Sequence, residues 1–374
     1  MTSARGVARA AVATAAVLVV VLGSAPPVLA DRIRDHQWYL KTLRIAAAHK
    51  MSKGAGVVVA VVDSGVWRGH PDLKGALVPG TDLIDGGAGS SGDIRGHGTA
   101  MAGIIAGRGH GSGDGVLGIA PAARIMPIGP AETTRLTIRA IEWATEHGAK
   151  VINLSIGVPE SPGLEAAVQA AAAADVVLVA AAGNNDRPNA VEYPAGYPEV
   201  IAVGAVDRTG RLATFSQRGP QLDLVAPGVD DPTLDLDGGS GYATTSGTSD
   251  AAAMVSGAAA LIRARHPDLK AADVVRRLTS TAVDRGAKGR DDAYGHGMLD
   301  VVAALTAPDP TTGPSVTPPA ATPPAAAAPD SGRRTAGAGD SGGIPPAVIF
   351  GAGVALLLAA GLLGAVLIRR SRST

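Results

Sequence analysis

Residues 57–62 read VVVAVV, a continuous run of apolar and mostly β-branched side chains. Such a run is typical of a strand that is buried on both faces. Similar short runs recur along the chain and alternate with patterns of helical spacing, so the sequence predicts an α/β domain with a mostly parallel sheet. The predicted strands are 57–62, 123–128, 151–156, 176–181, 200–206 and 222–225, and the predicted helices are 98–106, 134–147, 163–174, 249–265 and 271–281.

The composition limits both the core and the chemistry. Hydrophobic residues make up 46% of the 374 residues but aromatic residues only 3%, so the core must be built from Ala, Val, Leu and Ile. The chain contains no Cys, which excludes disulfides, a thiol nucleophile and Cys-ligated metal sites. Lys and Arg together number 33, as do Asp and Glu, so there is no global positive charge to bind nucleic acid.

The N-terminal end of the chain indicates export. Residues 1–30 contain two arginines, a short apolar run and a small-residue cleavage site, which together predict a signal peptide. The alternative is an uncleaved anchor helix, which is disfavoured because the apolar run is short for a hydrocarbon core of about 30 Å. Residues 31–56 then form an N-terminal arm, and the folded domain is expected over residues 57–306.

The C-terminal end predicts a membrane anchor. Residues 307–346 are rich in Pro, Ala and Thr, with almost no large apolar side chains, so a disordered linker is expected. Residues 347–368 carry no charge and are long enough to span a bilayer as one transmembrane helix. Three arginines follow in residues 369–374 and predict a cytoplasmic tail, so the folded domain is expected outside the cell membrane.

Three polar motifs lie where active sites of parallel sheets collect, near the carboxyl ends of strands. Asp63 ends the first predicted strand, His97 opens a helix in GHGTAMAGIIAG, and Ser249 opens another in SGTSDAAAMVSG. A hydroxyl is a weak nucleophile until an imidazole takes its proton, and a buried carboxylate fixes the imidazole tautomer. These residue types are therefore the ones that nucleophilic acyl transfer needs. Asn184 follows another predicted strand and offers an oxyanion donor, although ordinary turn chemistry is the simpler explanation when it is taken alone.

Taken together, the motifs resemble those of the subtilisin-like serine proteases. The resemblance implies a subtilisin-like three-layer fold and an endopeptidase that cleaves proteins or peptides through an acyl-enzyme. It implies Asp63 as the orienting carboxylate, His97 as the general base and acid, and Ser249 as the nucleophile. Further matching segments are HPDL (70–73), GVLGIAPAARI (115–125), VINLSIG (151–157), YPAGYPEVIAVGAVD (193–207) and FSQRGPQLDLVAPG (215–228), so the similarity covers about residues 57–305.

The resemblance also implies how a substrate is held. Asn184 and the Ser249 backbone N–H would bind the oxyanion. Ser155, Ile156 and Gly157 would pair with the substrate backbone as an added strand.

The appendages resemble those of the mycosins, subtilisin-like proteases associated with type VII secretion in actinobacteria. Only about 26 residues separate Ala30 from the first predicted strand, too few for the folded prodomain usual in secreted subtilisins. The resemblance implies exported proteins as substrates and the membrane secretion complex as a partner. The alternative hypothesis, from a different class, is a structural subunit that stabilises this complex with little or no proteolysis.

Some features depart from the family's pattern or stay open. Asp250 follows the nucleophile where an apolar residue is usual, and Ala253 stands where Pro is usual. The chemistry needs no cofactor; for the aspartates in residues 230–237, a solvated acidic loop is favoured over a structural calcium site, since no twelve-residue calcium loop is present. An unperturbed His97 predicts activity that rises between about pH 5.5 and 7.5.

Overall fold

The computed structural model describes residues 33–86, 92–93, 95–111, 113–185, 191–236 and 241–308. Its strands are β1 (Val58–Val62), β2 (Thr81–Asp82), β3 (Arg108–His110), β4 (Asp114–Leu117), β5 (Arg124–Gly129), β6 (Val151–Leu154), β7 (Val177–Ala181), β8 (Val200–Val206), β9 (Leu224–Pro227), β10 (Asp231–Leu234) and β11 (Tyr242–Thr245). Its helices are α1 (Ile33–His36), α2 (Trp38–Thr42), α3 (Ile45–Ala48), α4 (His97–Ala106), α5 (Thr134–Glu146), α6 (Pro162–Ala173), α7 (Thr248–Arg265), α8 (Ala271–Ser280) and α9 (Val301–Thr306), and Pro71–Leu73 forms a 3-10 turn.

Seven parallel strands form the central sheet, in the order β2-β5-β1-β6-β7-β8-β9. β1 lies between β5 and β6, with Val59 opposite both Ile125 and Val151. From β1 the chain goes first to the side of β5 and then crosses back over β1 to reach β6, so the direction of winding reverses beside β1. Such a switch point forms a crevice at the carboxyl ends of the strands, where ligands bind. The predicted α/β fold with a mostly parallel sheet is confirmed.

Helices cover both faces of this sheet. α4 connects the edge strand β2 with β5, α5 connects β5 with β6, and α6 connects β6 with β7. α7 packs against α4 and covers β6 to β9, while α5 packs against α6. The arrangement therefore has three layers, as predicted.

The core is made mostly of small aliphatic side chains, as the composition predicts. Every residue of β7, β8 and β9 is buried, and so is α7 from Thr248 to Arg263. Small residues bring the layers close together; a Cβ on Gly257 of α7 would lie only 2.6 Å from the Ile119 Cβ. Because so little side chain separates the elements, the position of α7 over the sheet is closely determined.

The described part of the N-terminal arm, residues 33–56, packs onto the domain. Tyr39 is fully buried, and its hydroxyl donates to the Pro232 carbonyl at 3.1 Å. The Gln37 side chain accepts from the Leu117 N–H at 2.8 Å and donates to its carbonyl at 3.0 Å. The arm is thereby tied to two antiparallel hairpins, β3–β4 and β10–β11, which lie outside the main sheet.

The predicted signal peptide, transmembrane helix and cytoplasmic tail lie outside the described residues, as does nearly all of the linker. Within the part of the chain that the structure describes, no helix combines the length and the apolar character needed to cross a bilayer.

Candidate active site

Asp63 and His97 are joined by two hydrogen bonds at the carboxyl end of β1. The Nδ1 atom of His97 lies 2.8 Å from Oδ1 and 2.9 Å from Oδ2 of Asp63. Asp63 is 1% exposed, whereas the side chain of His97, the first residue of α4, is 43% exposed. A carboxylate accepts hydrogen bonds, so the proton sits on Nδ1 and leaves Nε2 free to accept another.

Asp93 holds the start of α4 against the end of β1. Its Oδ1 accepts from the Ser64 hydroxyl and from the backbone N–H groups of Arg95 and Gly96, each at 2.9 Å. Its Oδ2 accepts from the N–H and the hydroxyl of Thr99, at 2.9 and 2.7 Å. An anion here satisfies N–H groups that the first helical turn leaves unpaired, which determines where the helix begins.

Gly98 lets α4 begin in direct contact with the segment after β1. A Cβ at this position would lie 2.0 Å from the Gly65 carbonyl oxygen and 3.1 Å from the Asp63 Cβ. The opposing atom is backbone and cannot move aside easily. Any side chain at residue 98 would therefore push His97 away from Asp63.

The charges around His97 favour its protonated form. Burial alone lowers the pKa of the imidazole, but the Asp63 carboxylate outweighs this through its charge and its hydrogen bonds, with smaller contributions from Asp250 and Asp93. Together they raise the pKa of His97 to about 9. The expectation of an ordinary imidazole, titrating near 6.5, is therefore wrong.

Ser249, the second residue of α7, is 8% exposed and bonds to the end of β6. Its hydroxyl donates to the Ser155 carbonyl at 3.4 Å, and the Ser155 hydroxyl donates to the Ser249 carbonyl at 3.1 Å. Among the described residues, no hydrogen bond joins the Ser249 hydroxyl to His97. For Ser249 to act as the predicted nucleophile, its side chain must turn from Ser155 towards His97 Nε2.

Asn184 directs its amide nitrogen to the same place. Its Oδ1 accepts from the N–H and the hydroxyl of Thr248, at 2.9 and 3.0 Å, and the Thr248 hydroxyl accepts from the Gly183 N–H at 3.1 Å. With Oδ1 held in this way, Nδ2 faces the chain before the helix: a Cβ on Gly247 would lie 3.6 Å from both Asn184 Nδ2 and Ser249 N. Two donors converge beside Ser249, which favours an oxyanion site over ordinary turn chemistry.

A cleft of about 420 Å³ lies at the switch point between β1 and β6. The predicted substrate-binding segment, residues 155–157, shares its lining with the Asp63–His97 pair. Arg95 and Glu132 form an exposed ion pair of 2.7 Å on the same surface. The complete lining is Asp63, Ser64, Arg95, His97, Glu132, Ser155, Ile156 and Gly157.

Comparison with known proteins identifies the family. A sequence profile of the Subtilase family (Peptidase_S8) matches residues 54–297. Subtilisin DY from Bacillus licheniformis is 40% identical over 261 residues, which cover 67% of this chain and 92% of that protein. The chain belongs to the subtilase family of serine peptidases.

Solved structures resemble this subtilase over most of its described length. MycP1 from Mycobacterium smegmatis is 33% identical, with a TM-score of 0.65, and the match covers 75% of this chain and 87% of that one. The MycP3 protease from the type VII (ESX-3) secretion system is 34% identical, with a TM-score of 0.64 and coverage of 72% and 88%. The predicted enzyme class and the predicted resemblance to mycosins are confirmed.

Two aspartates of the subtilase lie deeper than the sequence suggests. Asp250 is 2% exposed, and Asp231 is fully buried in β10, so the interpretation as a solvated loop is wrong for Asp231, although Asp230 and Asp235 are exposed. The reason is that β10 packs against α4, where the Thr233 hydroxyl donates to the Ala100 carbonyl at 2.9 Å. No group of His, Asp and Glu among the described residues could hold a metal ion, and Asp237 lies outside them. A structural calcium ion was the less favoured alternative, and the effect of a chelator on Tm would test it.

Several residues that hold the site were not singled out from the sequence. Asp93 fixes the start of the helix that carries His97, and Thr248 orients Asn184. The Asn153 side-chain amide donates to the Ser155 hydroxyl, just after β6, at 3.0 Å. Asp93 lies four residues before the histidine and Thr248 directly before the nucleophile, so proximity to the motifs was the available signal. Short polar residues in such segments are also ordinary turn and cap residues, which made that signal ambiguous.

Proposed function

We propose that this subtilase is an active serine endopeptidase in which Ser249 attacks the substrate and His97 takes its proton. The observation that carries the proposal is the pair of hydrogen bonds from His97 Nδ1 to the buried Asp63, at 2.8 and 2.9 Å. Asp63 orients the imidazole and stabilises the imidazolium that forms during attack. A serine at the start of a buried helix and two convergent oxyanion donors complete the set.

The reaction proceeds through an acyl-enzyme. The Ser249 hydroxyl turns to His97 Nε2, its oxygen attacks the carbonyl carbon, and its proton passes to Nε2. Asn184 Nδ2 and the Ser249 backbone N–H donate to the oxyanion. The intermediate then expels the amine, which takes the proton from His97, and a water activated by the same imidazole releases the acyl group. No cofactor takes part in these steps.

The substrate backbone lies along residues 155–157. β6 ends at Leu154, and within the described chain the backbone groups of Ile156 and Gly157 make no hydrogen bond. Unpaired main-chain groups that continue a strand are suited to bind an extended peptide by strand addition. The substrates are therefore proteins or peptides that present an extended segment to the cleft.

The location and the partner are inferred from the sequence and from similarity. Residues 347–368 anchor the protein in the cell membrane by one span, with the catalytic domain outside and residues 369–374 in the cytoplasm. Similarity to the MycP3 protease from the type VII (ESX-3) secretion system supports exported proteins as substrates and a secretion complex as partner. Carbonate should fail to extract the full chain, whereas a chain that stops before Ala347 should be released.

A fluorophosphonate probe tests the enzyme directly. The folded wild type should be labelled at Ser249, as mass spectrometry of the modified peptide would show, and Ser249→Ala and His97→Ala should not be labelled. The probe should be applied at about pH 9, because the raised pKa of His97 leaves little neutral imidazole at lower pH. A folded wild type that is not labelled under these conditions would contradict the proposal and favour a purely structural role in the complex.

A further inference from the structure

Asp231 and Asp250 bring two carboxyl groups into the core near the start of α7, where Thr245 connects them. Asp250 directly follows Ser249 in α7 and is 2% exposed, while Asp231 begins β10 and is 0% exposed. Among the described residues, neither forms an ion pair with a basic side chain. Two ionised carboxylates in such a place would repel each other and lack solvation. One of the two groups must therefore be protonated.

Thr245 distinguishes the two acids. It pairs with Asp231 across the β10–β11 hairpin, and its hydroxyl donates to Asp250 Oδ2 at 2.7 Å. Asp231 has no such donor, because neither of its oxygens accepts a hydrogen bond from any described group. The indole N–H of Trp38, in the adjacent arm, donates to the Asp230 carbonyl at 3.2 Å instead. A buried carboxylate without a donor is costly, whereas a protonated carboxyl is neutral and loses much less on burial, so the proton belongs on Asp231.

The surroundings of Asp250 are consistent with a charge there. Burial raises the pKa of Asp250 to about 6, against the opposing effects of the Thr245 hydroxyl and of His97. Asp250 is therefore ionised at the alkaline pH at which His97 becomes neutral. The arm contributes the buried phenol of Tyr39, whose pKa burial raises despite its hydrogen bond with Gln37, so it stays neutral.

The surroundings of Asp231 favour its protonated form. Burial raises the pKa of Asp231 well above its ordinary range, and the charges of Asp250 and then Asp230 raise it further. Arg208 opposes this rise only in part, and so does the indole N–H of Trp38, which lies near the Asp231 carboxyl but donates to the Asp230 carbonyl. The two acids thus hold one proton between them over the working range, with the negative charge on the residue nearer the nucleophile.

We propose that Asp250 is a positioning residue that places one negative charge beside His97, and that Asp231 holds a proton so that this charge does not become two. The inference rests on the proposed function, because it assumes that His97 is the general base. The charge stabilises the imidazolium that forms when Ser249 loses its proton, in addition to the charge of Asp63. It also makes the resting imidazolium harder to deprotonate, so the enzyme gains a stronger base but needs a more alkaline medium.

The pH profile of Asp250→Asn tests this directly. The variant keeps the size of the side chain and an oxygen for Thr245, and loses only the charge. The midpoint of the acid limb of kcat/KM should fall by about one pH unit. Below pH 7.5 the lower pKa gives the variant more neutral His97, but that imidazole is a weaker base. If half of the change in pKa is expressed in the logarithm of the rate, the variant is about threefold faster than wild type below pH 7.5 and about threefold slower above pH 10. The two profiles therefore cross, and an unchanged midpoint would overturn the proposal.

Asp231→Leu tests the role of the partner acid. It removes the acid and its proton together, so the charge near His97 is unchanged and the midpoint should move by less than about 0.3 pH units. A midpoint shift as large as that of Asp250→Asn would place the charge on Asp231 and overturn the proposal. Asp231→Asn, which stays polar, repeats the test if the leucine variant does not fold.

A matched control and a second readout separate this inference from the proposed function. Asp223 is another acid whose pKa burial raises, but it precedes β9 at the amino end of the sheet, so Asp223→Asn should leave the midpoint unchanged. NMR titration of the His97 imidazole in full-length Ser249→Ala needs no turnover. Adding Asp250→Asn should lower the midpoint of the His97 titration by about one pH unit. An equal titration in both proteins would overturn the inference even if the enzyme is active, and the shift would support it even if no peptidase activity is found.

Discussion

The hydroxyls of Ser155 and Ser249 each donate to the other residue's backbone carbonyl, at 3.1 and 3.4 Å. One residue lies at the end of β6 and the other at the start of α7, so the border of the substrate cleft and the helix of the nucleophile are fixed to each other. The bond from the Ser249 hydroxyl is long for an O–H···O contact, so little free energy opposes its turn towards His97. A substrate strand bound along residues 155–157 therefore lies directly beside the nucleophile that must move.

Activity and stability should respond to pH in opposite directions. Although burial opposes it, Asp63 raises the pKa of His97 to about 9, so kcat/KM should rise with pH until about that value. Histidine in the unfolded chain has a pKa of about 6.5, so the folded state binds this proton more tightly. Its contribution to stability is complete below about pH 6.5 and is lost as the pH rises through about 9.

The measurement is kcat/KM together with urea unfolding between about pH 6 and 10.5. In His97→Gln, which has no proton to release, the corresponding part of the pH dependence of stability should disappear. A wild-type rate that is constant between pH 7 and 9 would contradict the raised pKa.

Asn184 and Thr248 should affect the rate of reaction more than substrate binding. Asn184→Ala removes an oxyanion donor and should lower kcat by about 10²–10³-fold with little change in KM. Thr248→Val keeps the backbone N–H that donates to Asn184 Oδ1 but loses the hydroxyl, so we expect a smaller loss of about tenfold in kcat. Thr248→Ser keeps both groups and serves as the control. Steady-state kinetics on one peptide checks this, and a change confined to KM would count against the oxyanion role.

Asp93→Asn should weaken both the fold and the site. Asp93 is 8% exposed and accepts five hydrogen bonds through its two oxygens, whereas Asn offers one acceptor oxygen and no charge to the start of α4. We expect a loss of about 1–3 kcal/mol in the free energy of unfolding, and a lower kcat because His97 is displaced. Asp85→Asn, at an exposed position, is the control. Unchanged unfolding in Asp93→Asn would show that these bonds add little.

Glu192 should give the enzyme a preference for basic side chains. A Cβ on Gly157 would lie 2.1 Å from Glu192 Oε2, and one on Gly183 would lie 3.0 Å from its Cδ, so the carboxylate lies between the two segments that flank Ser249. Asn185 holds it by a hydrogen bond of 2.7 Å to Oε1. Peptide libraries should show Lys or Arg favoured over Glu at one position. Glu192→Gln should reduce the ratio of kcat/KM for the basic over the acidic peptide about tenfold, which corresponds to about 1.4 kcal/mol. An unaltered ratio would show that Glu192 does not set this preference.

The elements that could be predicted from the sequence carry their signal locally. β1 and β8 are runs of aliphatic residues, and α5 has amphipathic spacing, so short-range patterns were enough. The arm helices and the hairpins were not predicted, because helices of four or five residues and short strands depend on distant partners. The β10–β11 hairpin is an example: the hydroxyl of Tyr242 donates to Asp72 Oδ2 at 3.1 Å, across 170 positions of sequence.

The same distinction applies within the site. The positions of Asp63, His97 and Ser249 follow from motifs, and the structure brings Asp63 and His97 into contact. The burial of Asp231 beside Asp250 does not follow from any motif, because adjacent aspartates in a loop ordinarily face water. Only the packing of β10 against α4 brings that carboxyl into the core.

The attachment of the arm has a consequence for the time at which the enzyme becomes active. Trp38 and Tyr39 bind backbone atoms that lie 192 and 193 positions later in the chain. During synthesis the arm can reach Leu117 early, but its contacts with β10 wait until residues 230–232 have been added, and the nucleophile is added shortly afterwards. A nascent chain that stalls earlier has the base and its carboxylate but nothing to attack a peptide bond. The docking of the arm on β10 and the addition of the nucleophile thus come almost together, late in synthesis.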